Sequence, residues 1–213
     1  MIYDIMNLKT TGNSQFSKYG IKYLYHMTHK KNLPYILKHG LLCHEDAHDS
    51  GYNKKNIANS DVIARRERKI DPIYNQLVIN YVPFYFRIKN PMLFVKRAIQ
   101  DDIVILCYDP SLLLKEETIF TDGNAASDNT KFFNDISNLN KLNWECLNAR
   151  YWHDFPDGKR EKMAEVLVGG TKVRNNYLQK IYCYSNSTYY EIKKKLSYST
   201  NSLPVERNQK LFF

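Results

Sequence analysis

The chain has 213 residues, and its 31 lysines and arginines against 22 aspartates and glutamates give it a formal charge of +9 at neutral pH. A hydrophobic fraction of 43% is typical of a globular protein and excludes a disordered one, and the length suits a single domain over residues 1–213. The sequence has no apolar run of about 18 residues and no basic-then-apolar leader, so we expect no membrane span, no secretory signal and a cytoplasmic location.

The cysteines and histidines do not indicate a metal centre. The four cysteines are far apart and in no paired spacing, at Cys43, Cys107, Cys146 and Cys183. Isolated cysteines of this kind are typical of small, reduced side chains in a protein interior. His44 and His48 stand among aspartates without a thiolate nearby, which favours a solvated loop over a metal cluster. We therefore expect no metal cofactor.

The first forty residues predict an arm, a strand and a short helix. Residues 1–20 are polar and contain glycines, so we predict a loosely held N-terminal arm. Residues 22–28 alternate as a strand does. Residues 32–40 predict a short helix that Asn32 caps and Gly40 ends.

The remaining elements predict one α+β domain. Strands are predicted from β-branched and aromatic runs at residues 78–86, 101–109, 164–170 and 178–185. Helices are predicted over residues 61–69, about 126–137, 143–153 and 188–196, the last of which we expect to close the chain. The run at 101–109 is apolar throughout, as a central strand would be. Because strands and helices do not alternate regularly, an α+β fold is expected.

Three groups of residues could carry chemistry, and each has a structural alternative. His26 and Thr28 are two apart on a predicted strand and face one side, although a core histidine beside a helix-cap threonine would look the same. Glu165 interrupts an apolar run, where a carboxylate must be paired, functional or at an exposed edge. The arginines at 65–68 suit phosphates, or form a solvated helix face.

Basic residues occur in clusters along the whole chain, which has a pI near 9.2. A polyanion such as nucleic acid is the commonest partner of such a chain, and a generally basic surface is the alternative. Seventeen tyrosines and ten phenylalanines add rings that could stack on unpaired bases, although most should belong to the core.

Several segments together resemble the DarT DNA ADP-ribosyltransferases. They are L-Y-H-M-T-H-x-x-N-L-P-x-I-L-x-x-G-L at 24–41, the Arg65-Arg66 pair, Y-V-P-F-Y-F-x-x-x-x-P-M-L at 81–93, F-T-D-G at 120–123, A-R-Y-W at 149–152 and A-E-x-L-V at 164–168. The segments occur in the order found in the family and cover about residues 22–185.

This resemblance implies an ADP-ribosyltransferase fold of the PARP and diphtheria-toxin group, with a split, mixed β-core and a cleft for NAD. By motif match, His26 and Thr28 would hold the nicotinamide-side ribose and amide, and Asn32 belongs to the same NAD-binding set. Arg65 would contact the NAD phosphates and count among the catalytic residues, and Glu165 would be the catalytic acid.

The resemblance also implies the substrate and the partners. The family transfers ADP-ribose from NAD to a base in single-stranded DNA, thymine in one branch and guanine in another, and we expect thymine. Its members are toxins, paired with a DarG-type macrodomain antitoxin. Lys159 and Arg160 fall where the family contacts the DNA strand.

The residue types suit this chemistry. Breaking the bond between nicotinamide and ribose builds positive charge on the ribose, so a carboxylate at the 2′-hydroxyl stabilises the transition state. A guanidinium on the pyrophosphate fixes the orientation of the leaving group.

The sequence departs from the family in two places, and it leaves the acceptor open. Asn124 stands where family members often have a histidine, and the loop after Arg68 is short and lacks a glycine-rich stretch. A transferase of the same fold acting on RNA or protein, or a non-catalytic nucleic-acid-binding module, are the competing hypotheses. Intact His26, Arg65 and Glu165 favour catalysis.

Overall fold

The computed structural model describes residues 12–197 and 203–213. The strands in these residues are β1 (Leu24–His29), β2 (Leu41–Leu42), β3 (Val82–Tyr85), β4 (Ile103–Tyr108), β5 (Ile119–Thr121), β6 (Phe132–Phe133), β7 (Glu165–Val168), β8 (Lys172–Val173), β9 (Leu178–Cys183) and β10 (Val205–Arg207). The helices are α1 (residues 12–18), α2 (Leu33–His39), α3 (His44–Asp49), α4 (Ser60–Arg66), α5 (Pro91–Val95), α6 (Trp144–Asn148), α7 (Gly158–Glu161) and α8 (Asn186–Leu196).

Eight strands form one mixed sheet in the order β10-β9-β4-β1-β3-β7-β5-β6, and β2 and β8 form a separate pair. The neighbouring strands are antiparallel, except that β10 runs parallel to β9. The sheet carries short helices rather than regular crossovers, which confirms the predicted α+β class.

Strand β4 is apolar and buried along its whole length. All six residues of β4 are buried, which confirms the central strand expected at 101–109. Its antiparallel neighbour β1 is in register over its full length, with Leu24 opposite Tyr108 and Thr28 opposite Val104. This pairing fixes the direction in which the alternating side chains of β1 point.

Strands β3 and β7 bring two distant parts of the chain together. Their register places Tyr85 opposite Glu165 and Phe84 opposite Val166. Both faces of β7 are covered, since all four of its residues are buried. Glu165 therefore begins a strand inside the sheet, and the exposed-edge interpretation of this residue is wrong.

The two helices nearest the predicted site confirm most of what the sequence indicates. Helix α2 ends at Gly40, whose φ of +88° is accessible to glycine at low cost. The expected cap is wrong, because the Asn32 side chain makes no capping bond and contacts a later loop instead. Helix α4 overlaps the predicted 61–69 segment but begins one residue earlier, and the Asn59 side chain caps it by accepting from Asp61 N at 2.8 Å.

Two other expectations are wrong in part. The described portion of the predicted arm is structured: α1 packs through Phe16, which is buried with Ile21 in the core, while residues 1–11 lie outside the described residues. The helix expected at 126–137 is replaced by β6, which pairs with β5, and by a 3-10 turn. Phe133 stacks on Phe120 across the strands, at 5.5 Å between ring centroids.

The 143–153 segment forms α6 and a 3-10 turn at Trp152–Asp154 rather than one helix. Helix α8 confirms the helix predicted at 188–196, although β10 follows it and returns to the sheet. The four cysteines are buried and unpaired, as expected. None of the helices formed by the described residues has the length and apolar character that a bilayer crossing requires.

Candidate active site

A cleft of about 530 Å³ opens where β1 and β3 meet helices α2, α4, α5 and α7. Its walls include five of the sequence-predicted site residues: His26, Thr28, Asn32, Arg65 and Lys159. Glu165 lies directly behind the wall, where Arg66 covers it, and Arg160 lies beside the cleft. The volume is in the range of small-molecule sites.

His26 contributes a neutral imidazole to the cleft. Its Nδ1 donates to the carbonyl of Pro83 at 2.9 Å, which leaves Nε2 as the acceptor. Burial lowers the pKa of His26, although its bond to Pro83 acts in the opposite direction. The ring therefore stays neutral at physiological pH and presents an acceptor rather than a charge.

Thr28 and Asn32 tie the end of β1 to the loop that forms one side of the cleft. Asn32 Nδ2 donates to Thr28 Oγ1 at 3.1 Å and to the carbonyl of Lys55 at 2.9 Å. Asn32 Oδ1 in turn accepts from Lys55 N at 3.0 Å. Because the Asn32 amide is used in this way, its direct role is to hold the loop around Asn53 and Lys55 at the cleft.

Glu165 is the buried acid of the site, with 0% of its surface exposed. Its Oε1 accepts from the backbone N–H of Ala125 at 3.0 Å, and its Oε2 forms an ion pair with Arg66. A buried carboxylate that has both partners can stay ionised. The structure thus brings the predicted acid to the cleft together with an arginine.

That arginine is Arg66 and not Arg65. Both line the cleft, but Arg65 is exposed, whereas the Arg66 side chain is 11% exposed and contacts Glu165. Burial acts to lower the pKa of Arg66, and the charge of Glu165 raises it overall, above the ordinary value of a guanidinium. Arg66 Nε is buried without a hydrogen-bond partner among the described residues, so the guanidinium keeps a donor for a ligand.

Tyr85 is a site residue that sequence reasoning missed. It lies opposite Glu165 in the sheet and lines the cleft. Burial, and then the nearby Glu165 charge, raise the pKa of Tyr85, so its hydroxyl remains protonated. The hydroxyl donates to Met92 Sδ at 3.2 Å. Tyr81, Pro83 and Tyr85, which alternate along Y-V-P-F-Y-F, all line the cleft. This alternation is the sequence pattern from which Tyr85 could have been predicted as a site residue.

The F-T-D-G segment positions Glu165 through the backbone. Thr121 Oγ1 accepts from Glu165 N at 3.1 Å and donates to the carbonyl of Gly123 at 2.7 Å. The chain then turns and presents Ala125 N–H to the carboxylate. Residues 121–130, which we call the carboxylate loop, therefore bind both the backbone N–H and the side-chain carboxylate of Glu165.

Lys159 and Arg160, predicted together, have different surroundings. Lys159 is exposed and lines the cleft. Arg160 is held between Asp157 and Asp122, with its NH1 at 2.7 Å from Asp122 Oδ1, and its carbonyl accepts from Asn124 N at 3.0 Å. Through its bonds to Asp122 and Asn124 N, Arg160 braces the carboxylate loop. Its positive charge is already neutralised by Asp122 and Asp157.

Gly123 makes the Arg160 brace possible. A Cβ at this position would lie 2.3 Å from the Arg160 NH1 atom, so a side chain there would displace the guanidinium. Asn124, the departure noted in the sequence, lines the cleft and accepts from Ala126 N at 2.9 Å through its Oδ1. In this chain it stabilises the turn of the loop.

The charge on the cleft walls is mainly positive. The lining residues that are charged are Lys55, Asp61, Arg65, Arg66, Lys96 and Lys159. Such a surface suits a phosphate-bearing ligand, and guanidinium forks match phosphate oxygens. The described residues contain no group of three or more histidines, cysteines or acids placed to hold a metal ion.

Comparison with known proteins gives consistent matches over nearly the whole chain. The sequence model of a family described as "ssDNA thymidine ADP-ribosyltransferase, DarT" matches residues 25–213. A curated relative from Thermosipho africanus, named a DNA ADP-ribosyl transferase–DNA ADP-ribosyl glycohydrolase fusion protein, is 27% identical over 195 residues. The match covers 89% of this chain and 49% of the relative, so the chain spans about half the length of that protein.

Solved structures agree in fold. The chain is similar to Thermus sp. 2.9 DarT in complex with ADP-ribosylated ssDNA, with a TM-score of 0.82, 28% identity, and 91% and 97% of the two chains covered. It is also similar to the Thermus sp. 2.9 DarT complex with NAD+, with a TM-score of 0.77, 27% identity, and 91% and 98% covered. The expected ADP-ribosyltransferase fold is confirmed.

Proposed function

Because the chain belongs to the DarT family of single-stranded-DNA thymidine ADP-ribosyltransferases, we propose that Glu165 and Arg66 form the centre at which it transfers ADP-ribose from NAD to thymidine. In this reaction the bond between nicotinamide and the ribose C1′ breaks, and C1′ forms a bond to a ring nitrogen of the base. That nitrogen loses its proton. NAD is consumed as a substrate.

The Arg66–Glu165 ion pair is the observation that carries this assignment. Glu165 is fully buried and paired with Arg66, and in such a site a carboxylate stabilises the positive charge that develops on the ribose more strongly than it would in solvent. Ala125 N–H and Thr121 fix its position before substrate arrives, so no reorganisation is required in the transition state.

The cleft walls support binding of NAD beside that pair. His26 Nε2 and the Thr28 hydroxyl are suited to hold the nicotinamide-side ribose and amide, and Asn32 keeps the neighbouring loop in place. Arg66 has an unpartnered Nε, and Arg65 adds a second guanidinium at the rim. We assign the pyrophosphate contact to these two arginines together.

Lys159 is the DNA contact that the structure supports better of the two predicted from sequence. It is exposed at the cleft, whereas the Arg160 guanidinium is engaged with Asp122 and Asp157. A thymine whose ring nitrogen lies on the Watson–Crick edge is accessible only when unpaired, which is consistent with a single-stranded acceptor.

The biological setting follows from the family and from one relative. The Thermosipho africanus relative joins a DNA ADP-ribosyl transferase to a DNA ADP-ribosyl glycohydrolase in one chain. We propose that this protein is the toxin of a toxin–antitoxin pair and is opposed by a DarG-type macrodomain antitoxin that removes ADP-ribose from DNA. NAD and single-stranded DNA are both present in the cytoplasm, where we place the protein.

The test is transfer from labelled NAD to four separate acceptors: one thymidine-containing oligonucleotide, the same oligonucleotide annealed to its complement, RNA and protein. We expect label on the single strand alone, with mass spectrometry of nucleosides locating it on thymidine. Glu165→Gln should lower turnover by about 10²–10³-fold, because the transition-state charge loses its carboxylate.

Gln is the informative substitution, since it keeps the shape that Arg66 and Ala125 contact. Exposed Glu116, changed to Gln, is the matched control and should retain parental turnover. Label on RNA or protein instead of DNA would support the competing transferase hypothesis. Near-parental turnover of a folded Glu165→Gln protein would remove Glu165 from the chemistry.

A further inference from the structure

Three aromatic side chains form a surface beside the cleft, which we call the aromatic platform: Phe94, Trp152 and Phe213. The ring centroids of Phe94 are 5.6 Å from Trp152 and 5.2 Å from Phe213, and those of Trp152 and Phe213 are 6.1 Å apart. Each pair meets edge to face. Phe94 is 38% exposed, Val95 next to it is 69% exposed, and Tyr151, which precedes Trp152, is 47% exposed. Contiguous exposed apolar surface of this kind marks an interaction site.

Cations lie directly over the rings of this surface. The Arg97 guanidinium is 4.3 Å from the ring centroid of Phe94, and Lys89 Nζ is 5.5 Å from that of Phe213. Arg150 lies over the ring of Tyr151 at 5.1 Å. Asp154, in the same turn as Trp152, has His153 as a neighbour at 3.7 Å. Aromatic faces with guanidinium and ammonium groups beside them match the bases and phosphates of an unpaired strand.

Helix α5 connects the aromatic platform to the catalytic pair. On its inner side, Met92 accepts the hydrogen bond of Tyr85, the cross-strand partner of Glu165. Val95 and Lys96, at the end of the helix, line the cleft. A strand that leaves the cleft along α5 therefore passes Phe94, which directly precedes these two residues.

The wall of the cleft formed by α7 is also next to the aromatic platform. The Trp152–Asp154 turn packs on α7 at Gly158, where a Cβ would lie 1.7 Å from the carbonyl of Trp152. The next residue of α7 is Lys159, which lines the cleft. The platform thus borders the cleft from two sides.

We propose that the aromatic platform holds the nucleotides that flank the target thymidine, stacking one or more bases on Phe94 and Trp152 while Arg97 and Lys89 contact phosphates. The proposal rests on the proposed function, because it names where the rest of the same DNA strand lies. Single-stranded DNA suits the surface better than a protein partner, since Phe94, Phe213 and Tyr151 each have a cation over the ring. Stacking makes no base-specific contact, so the platform adds affinity with little sequence preference.

The test separates DNA binding from catalysis. Binding of a fluorescent single strand of about 15 nucleotides is measured by anisotropy in the Glu165→Gln background without NAD, so that no ADP-ribose is transferred. Phe94→Ala should raise its Kd about tenfold, as expected for the loss of one stacked base. Phe94→Tyr should restore binding, and Arg97→Gln, at an exposed position, should weaken it without a folding defect. Tyr190→Ala removes an exposed ring (68%) on α8 and is the matched control.

The active enzyme gives the second readout. With Glu165 intact, Phe94→Ala should raise KM for the long oligonucleotide and leave the rate on thymidine monophosphate unchanged, because a single nucleotide has no flanking base to stack on the platform. Parental affinity in both Phe94→Ala and Arg97→Gln would overturn the proposal, as would equal weakening by Tyr190→Ala. Loss of binding to a macrodomain antitoxin with unchanged DNA affinity would assign the surface to a protein instead. A protein that binds DNA through Phe94 but labels none would contradict the proposed function and leave the platform standing.

Discussion

Arg66 and Glu165 form an ion pair in which the two side chains are 11% and 0% exposed. Removing one partner of such a pair typically costs about 3–5 kcal/mol, because the remaining charge stays buried. Arg65, one position earlier on α4, points to solvent at the cleft rim and carries no such constraint. The two arginines therefore differ in function, although they are adjacent in sequence and identical in chemistry.

Substituting each arginine by glutamine tests this difference. Arg66→Gln should lower kcat by about 10²–10³-fold, since it removes a buried cation in contact with Glu165, the proposed catalytic carboxylate. Arg65→Gln should leave kcat unchanged and raise KM for NAD, because an exposed guanidinium contributes mainly to binding. Initial rates at varied NAD give both parameters.

A thermal melt of Arg66→Gln distinguishes a loss of catalysis from a loss of folding. Arg66→Lys keeps the positive charge but not the planar guanidinium, so its kcat should lie between those of the parent and Arg66→Gln. A larger loss of kcat in Arg65→Gln than in a folded Arg66→Gln protein would reverse the assignment.

At the level of elements, the carboxylate loop connects α7 to the start of β7. Arg160 on α7 binds Asp122 through its guanidinium and Asn124 N through its carbonyl, and the next residue of the loop donates to Glu165. Arg160 is therefore a positioning residue that acts on Glu165 through the loop. A displacement of about 1 Å in such a support can reduce the rate by as much as 10²-fold.

Arg160→Met should consequently lower kcat by about 10–100-fold while Kd for single-stranded DNA stays near the parental value. Lys159→Met is the matched comparison, at the neighbouring exposed position, and should raise KM for DNA with little change in kcat. Steady-state kinetics with varied oligonucleotide separate the two effects. If Arg160→Met weakened DNA binding and left kcat intact, the guanidinium would be a DNA contact after all.

At the level of the whole molecule, the charge of +9 governs how binding responds to salt. Each phosphate contact on a single strand contributes about 0.7 to the slope of log affinity against log salt concentration. Affinity for any single strand should therefore fall steeply with salt, whatever its sequence.

Lys159→Gln should make that slope shallower by about 0.7, since it removes one phosphate contact at the cleft. Lys193→Gln, an exposed change on α8, should leave the slope unchanged. Anisotropy titrations over a series of salt concentrations measure both. Identical slopes for Lys159→Gln and the parent would show that Lys159 does not contact the strand.

The parts of the fold that the sequence predicts are those in which one local pattern dominates. The apolar run of β4 and the alternation of β1 are strong enough to fix both strands. The helix predicted at 126–137 does not form, because Phe132 and Phe133, which would fit one face of a helix, instead pair as β6 with Thr121 and Phe120 of β5. Tertiary pairing there overrides a short periodic signal.

The site shows the same limit. Glu165 can be found from the cost of a lone carboxylate in an apolar run. The choice between Arg65 and Arg66 depends on a rotation of about 100° around the axis of α4, which no residue-type argument resolves. The sequence around Asn32 likewise predicts a helix cap. Only the folded structure shows that its side-chain amide instead bonds to Asn53 and Lys55, which are distant in sequence.

The pairing of strands far apart in sequence determines when during its synthesis the protein can become active. Leu24 pairs with Tyr108, Tyr85 with Glu165, and Val104 with Cys183, so the sheet joins segments that leave the ribosome at very different times. Folds dominated by such non-local contacts fold slowly, because long loops must close before the contacts form. A nascent chain that ends before β7 lacks Glu165 and the strand that carries it, and Arg66 then has no carboxylate to meet. We therefore expect a nascent chain to have no transferase activity until β7 has been synthesised and has paired with β3.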